Sequence, residues 1–157
     1  MAWPNNWEER VGGIHCVMCT EGRPDSTPVG LRVLEGQHLD AYLGLEAAQR
    51  GYVVAIWRGR HVVELSERTA TELGGYWREV ALVAAAMLAH YEPRKLNYET
   101  LGNQVPHLHS HVTARFADGD VAPGSPLPAG RSVRLAFDEA MSDAAALRSI
   151  LSSSGSA

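Results

Sequence analysis

Three histidines alternate along His107-Leu108-His109-Ser110-His111. The residues around them, Val105-Pro106 before and Val112-Thr113-Ala114-Arg115 after, favour an extended strand. Side chains alternate across a strand, so the three imidazoles share one face while Leu108, Ser110 and Val112 share the other. Neighbouring histidines are then about 6–7 Å apart and the outer two about 13 Å apart. Two neighbours can chelate one metal ion, whereas all three more naturally line a groove. Imidazole titrates near neutral pH, so such a row can supply a nucleophile, an acid and a ligand side by side.

Cys16 and Cys19 are the two cysteines of the chain. A Cys-x-x-Cys pair is a redox motif or half of a zinc site. The redox version usually follows a strand and opens a helix. Here Cys19 runs into Thr20-Glu21-Gly22-Arg23-Pro24-Asp25, which is turn sequence. With seven histidines in the chain, zinc is favoured over a redox pair or two unligated thiols.

The elements that must position these groups are limited by size. The 157 residues give room for a single domain with a real core, residues 1–157, and 45% of them are hydrophobic. The formal net charge of -4 argues against a broad nucleic-acid footprint. No apolar run approaches twenty residues, so no membrane span is expected. The opening Met1-Ala2-Trp3-Pro4-Asn5-Asn6-Trp7-Glu8-Glu9-Arg10 lacks the basic-then-apolar layout of a signal peptide, and the chain reads as cytoplasmic.

Residues 1–28 read as irregular, with Pro4, Pro24 and Pro28 as breakers. Strands are expected at Gly30–Leu34, Leu39–Leu43, Tyr52–Trp57, Leu96–Leu101 and Pro106–Arg115. Gly102-Asn103 suggests a tight hairpin turn between the last two. Thr69-x-x-Glu72 is a capping box, with Ser66 a competing cap, and opens a helix that Pro93 stops. Leu73, Trp77, Val80, Ala84, Met87 and Tyr91 form its apolar stripe. Residues 117–130 read as a Gly/Pro/Asp-rich loop. Residues 136–151 read as a terminal helix with Phe137, Met141, Ala145 and Leu147 or Ile150 inward, and residues 152–157 as a flexible tail. Strands without regularly interleaved helices imply an α+β fold: an antiparallel sheet of about five strands, one long helix and a C-terminal helix.

With these residues in hand, the chain resembles the histidine-triad family of nucleotide hydrolases and transferases over about residues 14–116. The family signature is His-φ-His-φ-His-φ-φ, with φ apolar. Leu108 and Val112 obey it, whereas Ser110 and Thr113 are polar. The upstream order matches as well: a Cys-x-x-Cys, a Gly-led strand ending in a basic residue and a histidine, a long helix, an Asn-bearing strand, then the triad. The resemblance implies a structural zinc held by Cys16, Cys19, His61 and His107. It implies His109 as the nucleophile that takes up a nucleotidyl group at an α-phosphate, with His111 donating to the leaving group. It places Asn97, Asn103 and Gln104 as substrate-binding amides, and it implies a homodimer and a nucleotide-type substrate. Arg115 reads as a surface charge or a phosphate contact. His15, His38 and His90 receive no role. One departure concerns the sugar. Many members carry an acid that holds the ribose hydroxyls where the register here puts Gly44, and Glu46 follows two positions later. Two other readings compete: a hydrolase using His107 and His109 as a catalytic metal pair, and a non-catalytic zinc-stabilised nucleotide-binding module.

Overall fold

A computed structural model describes residues 3–20, 22–128 and 131–154. Two short helices open it, α1 (Trp7–Val11) and α2 (Val17–Thr20). Strands β1 (Ser26–Thr27), β2 (Gly30–Glu35), β3 (Leu39–Gly44), β4 (Glu46–Ala47) and β5 (Tyr52–Trp57) follow. Then come α3 (Ala70–Tyr91), β6 (Lys95–Glu99), β7 (His109–Arg115), β8 (Val133–Arg134) and α4 (Phe137–Ser154). One sheet has six strands in the order β1-β2-β3-β5-β7-β6, each antiparallel to its neighbours, and β4 pairs with β8. The five expected strands are present, and the two-residue β1 adds the sixth. No helix of the described residues is long and apolar enough to cross a membrane.

Alternation sorts the sheet into two faces. Val53, Ala55 and Trp57 of β5 are buried against α3 together with Val112 and Ala114 of β7. Tyr52, Val54 and Ile56 point to the opposite, open face. The β5–β7 register pairs Val54 with His111 and Ile56 with His109, so these two imidazoles share that open face.

The expected capping box opens α3. Thr69 Oγ1 accepts from the Glu72 amide at 3.2 Å, and the Thr69 amide donates to Glu72 Oε2 at 2.8 Å. Its inward aromatic differs from expectation. Tyr76 is fully buried, whereas Trp77 is 37% exposed. Both fit helical spacing ahead of Val80. Tyr76 wins because its hydroxyl finds buried partners, 3.1 Å from Ala55 O and 2.9 Å from Ser110 Oγ. That contact, with Thr100 Oγ1 at 2.8 Å, also satisfies the polar Ser110 at its apolar signature position.

Helix α4 is rotated from the expected facing. Phe137, Met141 and Ala145 are exposed, whereas Ala140, Asp143, Ala144 and Leu147 are buried. Asp143 decides this. Its carboxylate accepts from Arg50 at 2.5 and 2.8 Å, from His90 Nε2 at 2.9 Å and from the Tyr91 hydroxyl at 3.0 Å. These partners sit on other elements, so an acid that reads as solvated surface becomes a core contact. The expected tail begins inside α4, which runs to Ser154, and its last three residues lie outside the described set, as do 129 and 130 of the expected loop.

Two further differences bear on the histidines. The β6–β7 connection is residues 100–108 rather than a tight turn at Gly102-Asn103, and β7 starts at His109. The preceding backbone is tied elsewhere: the Leu108 amide donates to Val62 O at 2.7 Å and the Trp57 amide to Leu108 O at 3.0 Å. His107 therefore precedes the ladder instead of belonging to it.

Candidate active site and metal centre

Cys16, Cys19, His61 and His107 come from three places in the sequence and converge, their ligand atoms all within 4.8 Å of one another. His107 Nδ1 lies 3.5 Å from Cys16 Sγ and 3.3 Å from Cys19 Sγ, and His61 Nδ1 lies 3.4 Å from Cys19 Sγ. Backbone carbonyls set both tautomers. His107 Nε2–H donates to Trp57 O at 2.9 Å, and His61 Nε2–H donates to Val11 O at 3.1 Å. A carbonyl only accepts, so each neutral ring keeps its Nδ1 lone pair for the cluster. Val11 ends α1, whose last carbonyls need partners outside the helix, which gives that short helix a role. Gly13, at φ +80°, lets this segment close on His61: a Cβ there would stand 3.0 Å from His61 Cγ. Burial pushes His107 down to about 4, which keeps it neutral as a ligand must be. Burial and the adjacent Cys16 push the Cys19 thiol up to about 11, an effect that a divalent cation reverses by favouring thiolate. Two thiols and two oriented imidazoles fit a closed tetrahedral zinc shell.

The same logic orients His109 in the opposite sense. Its Nδ1–H donates to His107 O at 2.6 Å, so Nε2 carries the lone pair. Burial lowers its pKa, which keeps that nitrogen unprotonated at neutral pH. His111 packs edge-on against it, with ring centroids 4.8 Å apart. Burial, and then the neighbouring His109, pushes His111 down to about 4.

Beside this pair the open face forms a cavity of about 410 Å³. Val54 and Ile56, the strand partners of His111 and His109, line it with Tyr42, Met18 and Val29. Arg58 stands at one end. It pairs with the fully buried Asp40, which also takes Arg23 at 2.7 Å, and donates to Met18 O at 2.5 Å. Apolar walls with a few oriented polar groups suit a small aromatic or heterocyclic ligand.

The remaining sequence-selected residues are placed as follows. Asn103 and Gln104 are exposed in the connection leading into the triad, and Gln104 O accepts from Arg10 at 2.8 Å. Asn97 is opposite Thr113, a step beyond the Glu99–His111 pair, and accepts from Lys95 Nζ at 3.1 Å. It lines a second cavity of about 680 Å³ with Lys95, Arg115 and Asp120, away from His109. Arg115 is buried on Asp120 at 2.8 Å and on the Ala122 and Ser125 carbonyls, where it clamps the following loop. Glu46 pairs with Arg134 at 2.7 Å. Sequence reasoning passed over Tyr52, whose hydroxyl lies 2.5 Å from His111 Nδ1. The alternation of β5 could have found it, because it puts Tyr52 on the face of Val54 and Ile56.

Comparisons with known proteins agree with this geometry. The family model described as the HIT domain matches residues 30–118. A histidine triad protein from Bradyrhizobium japonicum is 25% identical, with a TM-score of 0.69, covering 78% of this chain and 90% of that one. A zinc-bound histidine triad family protein from Mycobacterium smegmatis is 22% identical, with a TM-score of 0.66, over 92% and 99% of the two chains. A hypothetical histidine triad nucleotide-binding protein from Sulfolobus tokodaii is 17% identical, with a TM-score of 0.68, over 88% and 93%. No curated protein matches the sequence. The family model spans more than half of the chain and includes His107, His109 and His111, so the chain belongs to the histidine triad family.

Proposed function

We propose that the protein is a nucleotide hydrolase or nucleotidyl transferase acting at the α-phosphate of a nucleoside phosphate ester, anhydride or phosphoramidate. The observation that carries this reading is the 2.6 Å bond from His109 Nδ1–H to His107 O, which leaves Nε2 as a held, unprotonated nucleophile beside a ligand-sized cavity. Nε2 attacks phosphorus; the new P–N bond forms as the bond to the leaving group breaks. His111 donates to a phosphoryl or leaving-group oxygen, and an anionic phosphate in the site raises its pKa back toward the range where it can give up a proton. Water or another acceptor then attacks the phosphorus, and His109 leaves. The chemistry demands mainly positioning and charge stabilisation, which two oriented imidazoles on one rigid strand supply.

In this reading zinc, held by Cys16, Cys19, His61 and His107, is structural: it pins the N-terminal segment to the base of the triad. A catalytic His107–His109 metal pair is disfavoured. Among the described residues, the group able to hold a metal contains His107 but neither His109 nor His111. We place the protein in the cytoplasm, where free thiols are kept reduced. We also infer a homodimer through α3 and the edge strand β6, where Trp77, Leu82, Leu88 and Tyr98 are exposed.

The test is incubation with a panel of adenylylated compounds followed by acid-free quenching and intact mass. One nucleotidyl group should appear on the wild type and map to His109, and His109→Ala should lack both adduct and turnover while still folding. An adduct on another residue, or turnover retained by His109→Ala, would remove the reading.

A further inference from the structure

Strand β5 begins with Tyr52, and its ring lies almost parallel to the His111 imidazole, centroids 5.6 Å apart at 16°. Its hydroxyl is 2.5 Å from His111 Nδ1. The ring also lies against Gly44. A Cβ on residue 44 would stand 2.6 Å from Tyr52 Cδ1 and 3.1 Å from Cε1, too close for any real side chain. Gly44 is not among the positive-φ glycines, so its backbone does not demand glycine, whereas the tyrosine ring does.

The short contact joins a hydroxyl that burial keeps protonated and a ring that burial keeps neutral. With the hydroxyl as donor, Nδ1 accepts and the single proton of His111 resides on Nε2, on the far side of the ring from Tyr52.

We propose that Tyr52 is a positioning residue of the triad: it holds His111 as the Nε2–H tautomer and fixes the plane of its ring, and Gly44 is the residue that makes room for it. This rests on the reading that a phosphate binds beside His109 and His111. It adds that the cavity wall at Gly44 is built for the tyrosine, since both residues line the cavity and the ring lies against the glycine. Tyr52 touches no reacting atom; it acts through His111. The three histidines by themselves do not determine which nitrogen of the third one faces substrate.

The test is Tyr52→Phe, which keeps the stacked ring and removes only the hydroxyl. Nitrogen-15 NMR of histidine-labelled, substrate-free protein reads the tautomer directly. The wild type should show His111 Nδ1 as a hydrogen-bonded acceptor and Nε2 protonated. Tyr52→Phe should shift the Nδ1 resonance and bring in the other tautomer. In parallel, kcat should fall about three- to tenfold with KM little changed, the effect of loosening one hydrogen bond that orients a donor. Gly44→Ala, with Tyr52 in place, should shift the same resonance by pressing on the ring. A wild type with Nδ1 protonated, or a Tyr52→Phe protein with unchanged His111 resonances or unchanged kcat, overturns the proposal. The nucleotidyl adduct on His109, measured on the same samples, separates this outcome from failure of the active-site reading, because the tautomer is read without substrate.

Discussion

Replacing Cys16 with serine should make the protein less stable and indifferent to chelators. Zinc–sulfur bonds of about 2.3 Å and zinc–nitrogen bonds of about 2.0–2.1 Å place thiol and imidazole donors about 3.6 Å apart on a tetrahedral edge. Three of the four thiol–imidazole distances are 3.5, 3.4 and 3.3 Å, within about 0.3 Å of that edge, and all four ligand atoms lie within 4.8 Å of one another. Little reorganisation opposes binding, and binding free energy then adds to folding free energy. At free zinc a thousandfold above Kd the gain is about 4 kcal/mol. For a domain of this length each kcal/mol moves Tm by about 2–4 °C, giving about 8–16 °C. The assay is differential scanning calorimetry with and without a strong chelator, beside metal analysis of the purified protein. Wild type should carry about one zinc per chain and lose that interval on chelation. Cys16→Ser should start near the chelated value and stay there. A metal-free wild type whose Tm ignores both chelator and added zinc, and matches Cys16→Ser, would refute the reasoning.

Sugar discrimination should be weak, because Gly44 offers no acceptor and Glu46 is engaged by Arg134. A hydrogen bond to a charged group contributes about 1.5–3 kcal/mol, so its loss removes about ten- to a hundredfold of ribose preference. Comparing kcat/KM for ribose and 2′-deoxyribose substrates checks this; a strong ribose preference that survives Glu46→Ala contradicts it. Light scattering at micromolar concentration should give twice the monomer mass, and a monomer there rules out the α3–β6 interface. Asp143→Asn should cost about 2 kcal/mol at pH 7, at the low side for a charged buried contact because Arg50 stays partly solvated. Burial alone would raise the Asp143 carboxyl, but Arg50, His90 and Tyr91 hold it below the usual range. Its folded pKa is therefore below its unfolded one, so its stabilisation is present above about pH 4 and fades below it. The wild-type advantage in urea melts should shrink on acidification, and an advantage that grows instead would reverse the assigned sign.

Much of this protein is legible in its sequence because the signals are local. Alternation along residues 52–57 and 109–115 specifies strands, Thr69-x-x-Glu72 specifies a helix start, and the spacing of Cys16, Cys19, His107, His109 and His111 specifies a chemistry. Helices α1 and α2 and strands β1, β4 and β8 leave no signal in the sequence, since segments of two to five residues are too short to show a period. Val80, Ala84, Met87 and Leu147 face the core as their spacing implies, whereas Trp77, Phe137, Met141 and Ala145 do not, because Tyr76 and Asp143 are buried by partners on other elements. The roles of the individual histidines are of this second kind. His107 presents Nδ1 to the two cysteines and His109 keeps its lone pair on Nε2, because carbonyls at Trp57 and His107 accept from the other nitrogens. Tyr52 reaches His111 Nδ1 across the sheet, the contact that in our proposal keeps the His111 proton on Nε2. Residue types and spacing determined that His109 and His111 would share one strand face, whereas His107 leaves the ladder for the cysteine cluster. Only the packing of strands distant in sequence decided which nitrogen of each is free, because a tautomer is set by the hydrogen-bond partner opposite it and not by the ring's neighbours along the chain.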